Sequence, residues 1–312
     1  WRDWSFARGV CRLIQSHHFD LVQSHERIAC CDIYRAGDGV HREWLQQLAR
    51  IRGPFGRFGM MVNPYHRYVL AAERRLFTSP RLRAVVCNSR MVKEETQRHF
   101  NVAAEKLHVI YSGVDTDSYH PRLREQRAQT RRQYDIPETA DLFLFAGSGF
   151  ERKGVATLIA AMSVLRDNSH LLIIGRDKHQ QRYERMARAH GLGARVRFLG
   201  SQPDVKPFYG AADALVLPTL YDPFPNVALE AFASGLPVIT SAKCGAAELI
   251  KHGQNGYVCD ALDRDGLAAC MRQFQAADRP ALRQAARETV TGLSLEAMSQ
   301  RLLKLYETVL TP

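Results

Sequence analysis

The chain has 312 residues, 46% hydrophobic and 24% charged, the profile of a globular protein long enough to bury two domain cores. Its formal net charge of +11 bears on partners (nucleic acid, an anionic membrane surface or phosphorylated substrates) and not on fold. No apolar run approaches a transmembrane helix. The seven cysteines, odd in number and without a C-x-x-C pair, disfavour a disulfide framework and a zinc site and fit a reducing cytoplasm.

The chain opens at Trp1 in what reads as mid-domain, so an N-terminal truncation is expected. Residues 4–16 read as a helix and 18–23 as a strand, followed by Ser24-His25-Glu26-Arg27. Ligands in open α/β sheets gather outside the carboxyl ends of strands, which makes His25 a candidate active-site residue; the plain alternative is a loop histidine. An apolar piece from Cys30 to Ala36 leads to Gly37-Asp38-Gly39, read as a turn. Between Arg42 and Arg83 nine arginines face only two acids, Glu43 and Glu73, with Trp44, Phe55, Phe58, Met61 and Tyr65 interleaved. This mixture fits either an interfacial segment on anionic lipid or a solvated helix face with ordinary core contacts.

Residues 65–76 read as an amphipathic helix and 82–87 as a buried strand, after which Asn88-Ser89 cap a helix to about Phe100. The strand 107–110 runs into Tyr111-Ser112-Gly113-Val114-Asp115. Residues 121–141 are charged, poorly patterned and rich in Arg and Gln, and read as the domain linker. Beyond them strands alternate with helices: 142–146, 171–174, 196–199 and 214–218 as strands, 154–165, 180–190 and 205–211 as helices. That alternation implies a doubly wound parallel sheet.

Two loops of this half carry chemistry. Gly147-Ser148-Gly149-Phe150-Glu151-Arg152-Lys153-Gly154 joins a strand to a helix, with glycines that let backbone approach a phosphate and two cations beside it. Its spacing is neither a Walker A loop nor a full Gly-x-Gly-x-x-Gly fingerprint. The second loop, residues 217–226, carries Asp222 and enters a helix near Asn226 and Val227 with Glu230 one turn in. Unpaired N–H groups at a helix start suit a phosphate, and a carboxylate there can accept from two vicinal hydroxyls. The alternative is an ordinary crossover in which Asp222 is a turn residue and Glu230 a solvated one. Arg176, after the strand 171–174, is a candidate neighbour of the nucleotide, the alternative being a solvated loop charge. No Asp-x-Asp and no His/Cys/Asp cluster at ligand spacing marks a metal site.

Asp222-x7-Glu230 followed by Ala-x-x-x-Gly-x-Pro-Val resembles the donor motif of family 4 retaining glycosyltransferases, with Asp222 where that family usually has Glu. Gly147, Lys153 and Gly154 match the family's first loop, and Ser148 stands in place of its Arg. The resemblance implies an α/β GT-B fold, two Rossmann-like doubly wound domains facing across a cleft. It implies an acceptor-side domain over 1–120, a nucleotide-sugar domain over 121–292 and a helix over 293–312 crossing back to the first. His25, Arg152, Lys153 and Asp222 would be catalytic. Gly147, Arg176, Phe198, Leu199, Asn226, Val227 and Glu230 would bind the donor, with Phe198 and Leu199 walling the base. No cofactor or metal is implied, because cations and backbone N–H groups stabilise the departing diphosphate.

Gly-Ser-x-Phe-x-Arg-Lys-Gly-Val, Gly-x-Asp-Lys and the basic region after Asp32-Ile33-Tyr34 further resemble enzymes of the lipopolysaccharide inner core. This implies UDP-glucose or UDP-N-acetylglucosamine as donor and a lipid-anchored oligosaccharide as acceptor. It also implies a cytoplasmic enzyme peripheral to the inner membrane, held there through the basic region 41–83. The competing readings are a family 4 transferase using GDP-mannose for a capsular or polyprenyl-linked glycan, and a non-enzymatic nucleotide or nucleic-acid module. A nucleic-acid module requires stacking aromatics along a basic groove, whereas the aromatics here are scattered.

Overall fold

The computed structural model describes residues 2–311, and the chain divides into two units: Trp1–Ser112 with Glu296–Pro312, and Gly113–Leu295. The first unit holds a parallel sheet of β1 (Gln23–Ser24), β2 (Ile33–Ala36), β3 (Ala84–Cys87) and β4 (Leu107–Val109), in that order. Side chains alternate across a strand, so β3 feeds two cores. Val85 and Cys87 pack with Tyr34, Leu76 and Leu82 on one face. Ala84 and Val86 join Ile33 on the other, where Leu305 and Val309 of the helix Leu295–Leu310 cover them. Ser89 caps the helix Arg90–Phe100, its hydroxyl accepting from the Val92 N–H at 3.1 Å.

The arginine-rich stretch folds into three helices, His41–Ala49, Pro54–Val62 and Pro64–Phe77. Its two acids are buried: Glu43 binds His99 at 2.7 Å, and Glu73 binds Arg27 at 3.1 Å. What remains outside is therefore cationic. The helix Pro54–Val62 buries no residue, and Phe55 is 94% exposed. Among the described residues no helix is long and apolar enough to cross a membrane.

Two expectations are corrected in this part of the molecule. Cys11, on the helix Arg2–Ser16, forms a disulfide with Cys30, because the chain turns back and sets the two Cα atoms 5.7 Å apart. Spacing along the sequence does not register such a return. The region read as a linker is also structured: residues 121–133 are helical and belong to the second unit, and the chain divides instead at Ser112/Gly113 and Leu295/Glu296.

In the second unit six parallel strands, β5 (Asp141–Ala146), β6 (Ser169–Ile174), β7 (Val196–Gly200), β8 (Ala214–Leu217), β9 (Val238–Ser241) and β10 (Gly256–Cys259), run in the order β7-β6-β5-β8-β9-β10. Consecutive crossovers proceed outward from β5 in one direction and from β8 in the other. The order reverses between β5 and β8, and the loops after these two strands open side by side at the carboxyl edge. β10 and the helices Arg264–Ala276 and Arg279–Glu288, the latter two capped by Asp263 and Asp278, complete the unit beyond the elements read from sequence.

Arginine in the 121–133 region has a structural role. Arg131 is fully buried, donating to Asp213 at 2.6 Å and to the carbonyls of Ala211, Pro137 and Ala140. Asp213 also holds Arg127 and Arg283 and accepts from the Leu142 N–H at the start of β5. Removing one member of such a cluster strands the other charges in low dielectric. Asp213→Ala is accordingly expected to lower the unfolding free energy of the second unit by about 3–5 kcal/mol, measured by urea denaturation followed by circular dichroism.

Candidate active site

The loops after β5 and β8 are interlocked at the strand-order reversal. The Arg152 carbonyl accepts from the Leu220 N–H at 2.8 Å and from the Thr219 hydroxyl at 3.0 Å. Side chains repeat the link: Lys153 Nζ donates to Asp222 Oδ2 at 2.6 Å, and Arg152 Nη1 to the same oxygen at 3.0 Å. Lys153 and Asp222 are buried, at 7% and 6% exposure, whereas the Arg152 side chain is 38% exposed. Arg152 thus keeps an outer edge for a ligand, and Lys153 is largely consumed in neutralising Asp222. The two cations read from sequence beside this turn thus have the Asp222 carboxylate between them.

Two glycines permit the approach. Gly154 has φ +76, and a Cβ there would sit 1.9 Å from the Pro218 carbonyl oxygen. Gly175 has φ +128, and a Cβ would meet the Gly147 carbonyl at 2.0 Å. The loop after β6 closes this side, with the Asp177 carboxylate accepting from the Phe150 N–H at 2.7 Å and the Ser148 hydroxyl from the Arg176 N–H at 3.1 Å. Asp177, the acid of the Gly-x-Asp-Lys pattern, had no role assigned from sequence; it holds the Gly147–Gly154 turn. Arg176 itself is exposed at the rim.

After Asp222 the chain passes Pro225 into the helix Asn226–Ala233, which no side chain caps at its start. Asn226 is exposed and Val227 half-buried. One turn in, Glu230 Oε2 accepts from the Tyr209 hydroxyl at 2.7 Å, leaving Oε1 without a partner among the described residues. Tyr209 meets Tyr119 edge to face at 5.6 Å. Tyr209 carries no sequence signal, because it reaches Glu230 from another helix. Phe198 and Leu199 lie half-buried in β7, Phe198 tilted against Phe150 at 6.2 Å between ring centres. His25 belongs to the first unit, exposed immediately past β1.

Burial raises the Glu230 carboxyl above its ordinary range, and the Tyr209 hydrogen bond only partly offsets that. A carboxyl shifted upward binds its proton more readily folded than unfolded, so its contribution to stability is present at acid pH and lost as pH rises through the folded value. Glu230→Gln, which mimics the protonated form, should match the parent protein in melting temperature below the carboxyl range. Near neutrality it should melt higher. Thermal unfolding at the two pH values checks the sign.

With this geometry in place, comparison with known proteins bears on the chain as follows. Residues 126–289 match the family model described as glycosyl transferases group 1, and residues 1–118 match the model of glycosyltransferase family 4. An uncharacterized glycosyltransferase of Methanocaldococcus jannaschii is 35% identical over 177 residues, 55% of this chain and 45% of that protein. The lipopolysaccharide glucosyltransferase WaaG of Escherichia coli K12 is 29% identical over 262 residues, 82% of this chain and 68% of the relative. A crystal structure of WaaG, a glycosyltransferase involved in lipopolysaccharide biosynthesis, superposes with TM-score 0.80 at 25% identity, covering 95% of this chain and 80% of that one. The chain therefore spans only part of the length of these relatives, and its fold is of the GT-B class with two parallel-sheet α/β units.

Proposed function

The chain belongs to the group 1 glycosyl transferases, and from that premise we propose that it moves a hexose from a nucleotide sugar, UDP-glucose or UDP-N-acetylglucosamine, to lipopolysaccharide core. The observation that carries this reading is the half-exposed Arg152, held by Asp222 on the same sheet edge as the uncapped helix start and Glu230. A cation and free N–H groups suit a diphosphate, and a carboxylate with one open oxygen suits the ribose hydroxyls. WaaG, matched both in sequence and in structure, supports the choice of acceptor class.

In this reading the bond between the anomeric carbon and the phosphate oxygen breaks, the electron pair staying with the diphosphate. Arg152 and the N–H groups of Asn226 and Val227 stabilise that growing negative charge, with no resident cofactor assigned to the step. The acceptor hydroxyl adds to the same face as the leaving group, its proton passing to the departing phosphate oxygen, so configuration is retained. Lys153 acts as a positioning residue through Asp222, and Asp222 borders the sugar. Phe198 and Leu199 wall the base, and Arg176 lies at the rim.

The basic surface of the first unit fits attachment to an anionic membrane face. Its helix Pro54–Val62 exposes Phe55, Phe58 and Met61, flanked by Arg57 and Arg67, while the neighbouring acids Glu43 and Glu73 are turned inward. We place the protein there, peripheral to the inner membrane on its cytoplasmic side.

Calorimetric titration with UDP, UDP-glucose, UDP-N-acetylglucosamine and GDP-mannose tests the donor assignment. Uridine ligands should bind, and Glu230→Ala should weaken them about 10- to 100-fold, the worth of hydrogen bonds to a charged group. Preference for GDP-mannose would change the donor. Folded protein that binds no nucleotide would sink the catalytic reading.

A further inference from the structure

Three helices of the first unit meet at a cavity of about 260 Å³ lined by Arg42, Leu70, Ala71, Arg74, His99 and Phe100. Arg42 comes from the helix His41–Ala49, Arg74 from Pro64–Phe77, and His99 from the last turn of Arg90–Phe100. The guanidinium groups of Arg42 and Arg74 have no ion-pair partner among the described residues. The acid packed against this corner is Glu43, almost fully buried, and its carboxylate is already engaged by His99 at 2.7 Å and by Arg98 at 3.4 Å. That contact also fixes the orientation of the His99 ring. Phe100 is fixed as well, stacked on Phe77 at 4.4 Å between ring centres.

Arg42 and Arg74 are both exposed to water on this cavity, so the fold does not need them neutralised and their donors stay open to an anion from solution. A carboxylate occupies one guanidinium fork. Two guanidinium groups approaching from different helices suit a tetrahedral dianion, which has oxygens for both. The floor of Leu70, Ala71 and Phe100 is apolar and gives the esterified body of such a group a surface to cover. We infer that this cavity is a binding site for a phosphomonoester, separate from the Arg152–Asp222 site in the other unit. The inference does not depend on the transferase reading, since it rests on the charges and shape of the first unit alone.

The test titrates the full chain at constant ionic strength with inorganic phosphate and glycerol 3-phosphate, and with phosphatidylcholine vesicles carrying or lacking phosphatidic acid. Binding is read by calorimetry and by the rise in melting temperature that a ligand of the folded state produces. Both soluble ligands should bind saturably, and Arg42→Gln/Arg74→Gln should weaken them about tenfold or more, with Arg67→Gln/Arg83→Gln, outside the cavity, having little effect. Both pairs of side chains are exposed, so the variants should fold, which the circular dichroism spectrum verifies. If phosphatidic acid vesicles also lose binding in the cavity variant, the natural ester is a lipid headgroup; if only the soluble esters do, it is a soluble phosphate ester. Equal loss in both variants, or vesicle binding without a saturable response to the soluble ligands, would overturn the site in favour of a diffuse basic surface.

Discussion

The second unit depends on one buried contact, the ion pair of Lys153 with Asp222 where the strand order reverses. Parallel strands force each crossover helix to one side or the other, and between β5 and β8 the two directions part, leaving neighbouring loops uncovered at the carboxyl edge. Such loops would be loose without a bond between them. Lys153 and Asp222 supply it at 2.6 Å, and the backbone bonds from Thr219 and Leu220 to the Arg152 carbonyl repeat it. Gly154 is the condition for the contact, because any side chain there would collide with the Pro218 carbonyl. The same pairing directs Arg152 outward. Positioning and recognition are therefore divided between two adjacent cations that the sequence presents as equivalent.

Three buried acids are neutralised in the same way, each held by arginines or histidine. Asp213 gathers Arg127, Arg131 and Arg283 beneath the second sheet, and Glu73 and Glu43 do the same for Arg27 and for His99 with Arg98 in the first unit. Burial of a carboxylate without such partners would cost several kcal/mol. The consequence for function is a first unit whose exposed charge is more basic than its composition, because both acids of the 42–83 stretch are withdrawn from the surface.

The candidate site was legible in part. Alternation of strands and helices, the glycine-rich turn and the Asp222-x7-Glu230 spacing locate the carboxyl edge, since each is a local signal of period, turn chemistry or helix start. Tyr209 was not legible, because it acts on a residue in another element and leaves no spacing, and the Gly-x-Asp-Lys pattern that contains Asp177 does not show that its carboxylate holds the Phe150 N–H. The disulfide between Cys11 and Cys30 eluded counting for the same reason, and residues 121–133 looked like a linker because a buried arginine has the same letter as a solvated one.

The sequence by itself determined the α/β class, most strand and helix positions of the second unit, the loops that bear the chemistry and the excess of positive charge. These follow from local periodicity and from the fixed conformational demands of glycine and proline. Only the tertiary structure decided which of the two cations keeps an exposed edge, which oxygen of Glu230 is open, where the units divide and which arginines line a cavity. Those are distances between residues far apart in the chain, and they are set by the order of strands and the packing of helices, neither of which any short stretch of sequence contains.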